Sequence, residues 1–129
     1  MLDLQIDADG VATLTLDRPE VLNALSGALV DALLGALASV ANDPRARVLL
    51  LTGRGRAFCA GADLRDPMMN VEAPAAERGR RFLAGADAGV HALARALAGL
   101  GKPKVTAVNG AAVGGGAAHG RTIDRRDLG

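Results

Sequence analysis

An α/β fold with a largely parallel sheet is predicted by three observations. Short apolar runs at Val48 to Leu51 and Lys104 to Val108 alternate with segments of helical spacing. Those segments are long enough to cross over between parallel strands. Each run is followed by a glycine-containing bend, at Arg54 to Leu64 and at Gly114 to Gly116. A chain of 129 residues suits one ordinary domain and buries roughly two thirds of the surface its unfolded form exposes. Half the residues are apolar, yet Phe58 and Phe82 are the sole aromatics, so the core must be built from Ala, Val and Leu.

Leu2 to Ile6 and Val11 to Leu16 read as two antiparallel strands around Asp9-Gly10, a strong hairpin dipeptide. Asp17-Arg18-Pro19-Glu20 ends the second strand, because Pro cannot donate to a ladder and restricts its predecessor. Asn23 and Ser26 are candidate helix caps. From Ser26 to Asn42, Val30, Leu33, Leu34, Leu37 and Val40 recur at the spacing of one helical face. Arg47 to Thr52, bounded by Pro44 and Gly53, predicts a strand covered on both faces, with Asp17 to Asp43 as its crossover.

Beyond this strand the bend RGRAFCAGADL is expected to lead into a helix. Arg65 to Glu77, with Pro67, Met68, Met69 and Pro74, shows neither period and reads as a mobile surface loop. Arg78 to Leu100 returns to helical spacing through Phe82, Val90, Leu93, Leu97 and Leu100, and Gly101 with Pro103 terminates it. Lys104 to Val108 predicts a third buried strand, and a second cycle begins at Asn109. It does not finish. Residues 117–129 carry many charges and few large apolar side chains, so the chain divides into an ordered region, 1–116, and a frayed tail, 117–129.

Charge and composition exclude several function classes. The net charge of +1 is spread over scattered basic residues, and two Phe make a poor stacking platform, which argues against nucleic acid. The single Cys59 forms no intramolecular disulfide. With no signal-like start and no apolar run long enough to span a bilayer, the chain reads as cytoplasmic with no membrane partner. His91 and His119 lack companions at metal-ligand spacing, so no metal is expected. Cys59 lacks a basic neighbour in sequence and reads as a packing residue.

The two bends carry the chemical signal. Each leaves a strand through small residues, so unpaired backbone N–H groups can converge on an anion. Three phrases then resemble the crotonase superfamily of enoyl-CoA hydratases and isomerases: LDRPEVLNAL at Leu16 to Leu25, RAFCAGADL at Arg56 to Leu64, and KPKVTAVNGAAVGGG at Lys102 to Gly116. The resemblance covers the chain up to Gly116 and corresponds to the N-terminal half of the family's pattern. It implies an incomplete spiral of ββα units around a thioester pocket, and an acyl-CoA partner that brings coenzyme A as part of the substrate, with no separate cofactor.

By the same resemblance, the backbone amides of Ala62 and Gly115 form an oxyanion hole for the thioester oxygen. Ala60, Ala62, Asp63, Leu64, Arg65 and Gly115 then line the acyl-CoA, and the loop around Glu20, Val21 and Asn23 lies towards its adenine and pantetheine end. Arg18 and Arg65 are candidates for a CoA phosphate, against the commoner role of a solvated arginine. Asp63 is expected to cap or salt-bridge the start of the following helix rather than act as a base.

Family hydratases carry a glutamate three positions after the middle glycine, where this chain has Ala118, and a second one further on, where it has the charged tail. Neither acid-base carboxylate carries over, and Asp124 and Asp127 read as solvated charges. Hydratase turnover by this chain is therefore doubtful. The alternative is a noncatalytic acyl-CoA-binding or protein-interaction module that self-associates through exposed strand edges. A dinucleotide site is a weaker third reading, since Gly114, Gly116 and Gly120 lack the clean helix and ribose-binding acid that it requires.

Overall fold

In the computed structural model, which describes residues 1–66, 74–80, 89–113 and 122–124, strands β1 (Leu2–Ile6) and β2 (Val11–Leu16) pair antiparallel, with Leu2 opposite Leu16 and Ile6 opposite Ala12. The Asp7 carboxylate closes the connection by accepting the amides of Asp9 and Val11 at 2.9 and 3.0 Å. Pro19–Val21 then form one 3-10 turn. Helix α1 (Gly27–Asn42) starts at Ser26, whose hydroxyl accepts the Leu29 amide at 3.1 Å. It buries Leu29, Val30, Leu33, Leu37 and Val40.

The crossover delivers β3 (Val48–Gly53) parallel to β2, with Leu14 beside Leu51. A short strand, β4 (Ala57–Cys59), follows and leaves the main sheet. Residues 75–80 are helical, so the loop expected as far as Glu77 stops earlier; residues 67–73 and 81–88 lie outside the described residues. Helix α2 (Val90–Gly99) has its own start at Gly89, whose φ of −108° and ψ of −89° depart from helical geometry. The single helix expected from Arg78 to Leu100 is therefore interrupted at Gly89.

Strand β5 (Lys104–Val108) lies parallel to β3. The two-residue strand β6 (Ala111–Ala112) pairs parallel with β4. Within the tail expected to be frayed, Thr122–Asp124 form β7 beside β5, with Ile123 opposite Ala107. Asp124, expected to sit outside any strand, thus has its backbone in one. The main sheet runs β1-β2-β3-β5-β7, and β4-β6 form a separate pair.

Both helices cover one face of the main sheet. Leu14, Leu16, Leu49 and Leu51 meet Leu29, Leu33 and Leu37 of α1 and Leu93 and Leu97 of α2, with Phe58 of β4 closing the end. A void of about 20 Å³ persists beside Leu14, Leu51, Phe58 and Leu93, with a wholly apolar lining. Branched Leu side chains with one Phe fill this space incompletely.

The expectation of two-sided burial for β3 and β5 is corrected. In β3, Leu49 and Leu51 are buried while Val48, Leu50 and Thr52 are half-buried, and in β5 only Thr106 is buried. The helices return to the same side of the sheet each time, so the opposite face receives no layer among the described residues.

The C-terminal end of α1 is tied down by Lys102, whose ammonium donates to the carbonyls of Val40 and Asp43 at 2.6 and 2.8 Å. Each carbonyl also accepts one backbone amide, Val40 O from Asp43 at 3.4 Å and Asp43 O from Ala46 at 3.1 Å, so the ammonium fills their second lone pairs and complements the negative helix end. Lys102→Met is expected to lower unfolding free energy by about 1–2 kcal/mol, measured by urea denaturation, because two charge-assisted bonds are lost while the aliphatic stem is kept.

Candidate functional site

β4 and β6 bring Cys59, which leads into the first bend, beside Ala112 and Val113. Ala57 pairs with Ala111 and Cys59 with Ala112, and the Val113 amide donates to the Cys59 carbonyl at 3.0 Å. Because the strands are parallel, Ala60 and Val113 leave from the same end of the pair. Close approach is enforced by Gly110, where a Cβ would lie 2.0 Å from the Arg56 carbonyl oxygen. Gly114, Gly115, Gly116 and Ala118 lie outside the described residues.

The first bend is zipped to the loop before α1. Ala60 N donates to Leu22 O at 3.0 Å, Leu25 N to Gly61 O at 2.7 Å, and Asp63 N to Leu25 O at 2.9 Å. In this parallel bridge Leu25 makes both bonds, so the polar groups of Ala62 face the other way. Gly61 C=O and Ala62 N–H belong to one trans peptide plane and point in opposite directions. Anchoring the carbonyl on Leu25 therefore aims the amide away from it. Gly61 supports the bend with φ of +94°, which a residue bearing a side chain rarely adopts. Ala62 is exposed, and its amide makes no hydrogen bond among the described residues.

Asp63 is 6% exposed and does not begin a helix; residues 64 and 65 form a turn. Its expected salt-bridging role is present. The carboxylate accepts from the Arg65 amide at 3.0 Å, Arg65 Nε at 3.2 Å and Arg18 Nη2 at 3.2 Å. The Arg65 side chain, then the Arg65 amide and then Arg18 hold its pKa below the usual carboxylate value, against burial. The capping carboxylate is instead Asp66, which accepts the Gly27 amide of α1 at 2.7 Å.

The two arginines proposed for a phosphate thus share Asp63. Arg18 also donates to Ala24 O at 2.8 Å, so it is an internal clamp rather than a solvated side chain. Arg65 is 68% exposed along its side chain and Leu64 74% exposed, so both present surface beside Ala62.

Asn23 is neither a helix cap nor exposed to a ligand. It is 0% exposed, sits at φ of 56°, accepts the Arg18 amide at 2.7 Å, and donates to Arg54 O at 3.0 Å and Ala57 O at 2.9 Å. Asn109 reaches the same turn from the other side, donating to Gly55 O at 2.8 Å and accepting from Gly53 N at 3.2 Å. These asparagines fix where β4 starts. Sequence reasoning missed Asn109 and misassigned Asn23, since the carbonyls to which both donate lie more than thirty positions away. Cys59 is buried, and burial raises its thiol pKa against the Gly61 amide, which agrees with a packing role.

Among the described residues no group of three or more His, Cys, Asp or Glu is arranged to hold a metal, and no helix is long and apolar enough to cross a membrane.

Comparison with known proteins follows the same lines. A family model for enoyl-CoA hydratase/isomerase matches residues 7–126, running past Gly116. A 1,2-epoxyphenylacetyl-CoA isomerase from Escherichia coli (strain K12) is 45% identical over 111 residues, covering 84% of this chain and 40% of that protein. A 4-chlorobenzoyl coenzyme A dehalogenase-1 from Arthrobacter sp is 42% identical over 108 residues, covering 84% and 38%. The crystal structure of an enoyl-CoA hydratase from Shewanella pealeana ATCC 700345 superposes with a TM-score of 0.81 at 28% identity, covering 95% of this chain and 46% of that one. The chain spans about two fifths of the length of these curated relatives.

Asn23→Ala is expected to cost about 2–3 kcal/mol by urea denaturation, because it strands the Arg18 amide and the Arg54 carbonyl and leaves the Ala57 carbonyl with Asn109 as its remaining side-chain partner. The carboxylates give a pH dependence of definite sign. Arg45, by its side chain first and then its amide, draws Asp43 down to about 2, and Asp63 is also lowered. Depressed folded-state values mean that the unfolded chain binds more protons, so this stability is present above about pH 4 and is lost as pH falls towards 2. Asp43→Asn should flatten the stability profile across that window in acid titration.

Proposed function

Because the chain belongs to the enoyl-CoA hydratase/isomerase family, we propose that it binds an acyl-CoA thioester, with the carbonyl oxygen held by the backbone amides of Ala62 and Gly115. One observation carries this reading. The Ala62 amide is aimed outward from an anchored peptide plane, three residues after the Cys59 that pairs with Ala112 of β6.

The chemistry fits such donors. When a proton leaves the α-carbon or a nucleophile adds, negative charge gathers on the thioester oxygen. An amide already aimed at it needs no reorganisation, and each such donor contributes about 3 kcal/mol to the transition state. Small residues at 60–62 let the backbone approach, while exposed Leu64 and Arg65 offer an apolar and a cationic surface to the acyl-CoA.

The relatives' names include an isomerase and a dehalogenase as well as hydratases, and those of the first two contain a CoA thioester. Coenzyme A recurs in these names, while the named reactions differ. In this chain Ala118 stands where the family pattern of a hydratase puts a carboxylate. Thioester binding is thus the function the chain is best equipped for, and hydration the activity it is least equipped for.

Isothermal titration with butyryl-CoA is expected to show binding that Ala62→Pro abolishes, since proline deletes the amide while the ladder bonds of Leu25 use its neighbours. Circular dichroism checks that the variant folds. Crotonyl-CoA hydration should run below about one tenth of an ordinary hydratase rate, as expected when a general acid-base group worth 10²–10⁴ is missing. Failure of the wild-type chain to bind butyryl-CoA overturns the thioester reading.

A further inference from the structure

We propose that Arg18 and Asp63 are positioning residues, a latch that holds the Ala62 amide in its outward orientation; the proposal rests on the thioester reading above. The latch lies one residue from the amide it would control. The orientation of Ala62 N–H is set by the bond from Leu25 N to Gly61 O, at 2.7 Å, and by its companion from Asp63 N to Leu25 O, at 2.9 Å. A third rung, from Ala60 N to Leu22 O at 3.0 Å, joins the same two segments, but Ala62 itself is exposed, so local opening at this residue is resisted by these rungs and by whatever else crosses the seam. Arg18 spans the seam between these segments. Its Nη1 donates to Ala24 O at 2.8 Å on one side, and its Nη2 donates to Asp63 at 3.2 Å on the other.

The geometry distinguishes this pair from an ordinary surface salt bridge. The side chains of Arg18 and Asp63 are 18% and 7% exposed, so solvent screens the pair weakly. The Arg18 backbone is itself fixed, its amide donating to the buried Asn23 carboxamide at 2.7 Å. Arg65 binds the same carboxylate from solvent, at 3.2 Å through Nε and 3.3 Å through Nη2, without crossing the seam. Removing Arg65 contacts leaves the two loops joined through Arg18, whereas removing Arg18 leaves the backbone ladder and the Asp66 bond to Gly27, which lies four residues beyond Ala62. The expected loss is of donor alignment, not of fold.

The test uses butyryl-CoA labelled with ¹³C at the thioester carbonyl, read by infrared difference spectroscopy, with the variants Asp63→Asn, Arg18→Gln and Arg18→Lys. A thioester seated against the wild-type amide shifts its carbonyl stretch to lower frequency. Asp63→Asn and Arg18→Gln are expected to lose at least half of that shift and to weaken binding about tenfold, the loss of roughly one charge-assisted bond. Arg18→Lys should restore part of the shift. Lys102→Met, which loosens the chain at the far end of α1, is the control for general destabilisation and should keep the full shift.

An unchanged shift in Asp63→Asn and Arg18→Gln overturns the latch while leaving the thioester reading intact. A wild-type protein that gives no shift overturns the thioester reading, and the positioning role with it. Should neither variant fold, ¹⁵N relaxation on the wild-type chain decides: Gly61, Ala62 and Asp63 are expected to be as ordered as β2 and β3, and order parameters below about 0.6 at these residues overturn the latch.

Discussion

The peptide plane between Gly61 and Ala62 is the constraint from which the site follows. One face of that plane is bonded to Leu25, and planarity then dictates where the opposite N–H points. No side chain of Ala62 takes part, which is why so small a residue can occupy the position. The bend survives only because residues far apart in the chain hold it: the loop before α1 supplies the ladder, Arg18 bridges to Asp63, and Asp66 returns to cap α1.

Two kinds of interaction divide the labour. Apolar burial of the Leu-rich faces of α1, α2, β2 and β3 supplies the free energy that orders the chain, at about 25 cal/mol per Å² removed from water. It is nondirectional, and would tolerate a bend displaced by an ångström. The polar network around Asn23, Asn109 and Asp63 contributes little net stability while it is satisfied, since each of its bonds replaces one to water. Its value lies in direction: a displaced bend would leave buried donors and acceptors unpaired, at a cost of about 1–3 kcal/mol each. Geometry at the site is therefore enforced by the penalty for misplacement.

The one-sided arrangement of helices has a further consequence. Val48, Leu50, Val105 and Ala107 share the sheet face away from the helices and are half-buried, while Val11, Thr13 and Thr15 extend it with more polar character. Continuous apolar runs in β3 and β5 read as fully buried strands because periodicity cannot separate a covered face from one that is merely apolar. Only the position of the helices resolves this.

Local pattern determined much of the molecule by itself. The hairpin of β1 and β2, the span of α1 with its Ser26 cap, the parallel β3 and β5, and the family motifs were legible because each depends on residues within a few positions of one another. The bend at residues 60–62 was legible for the same reason, as small residues and a glycine leaving a strand. Tertiary structure alone decided the pairing of β4 with β6, the buried role of Asn23, the reach of Asn109 and the Arg18–Asp63 bridge. These rest on contacts between residues 31 to 56 positions apart, whose partners no local spacing announces. Propensity and periodicity report what a segment can become, whereas the direction of a single amide is fixed by whichever distant segment accepts the carbonyl behind it.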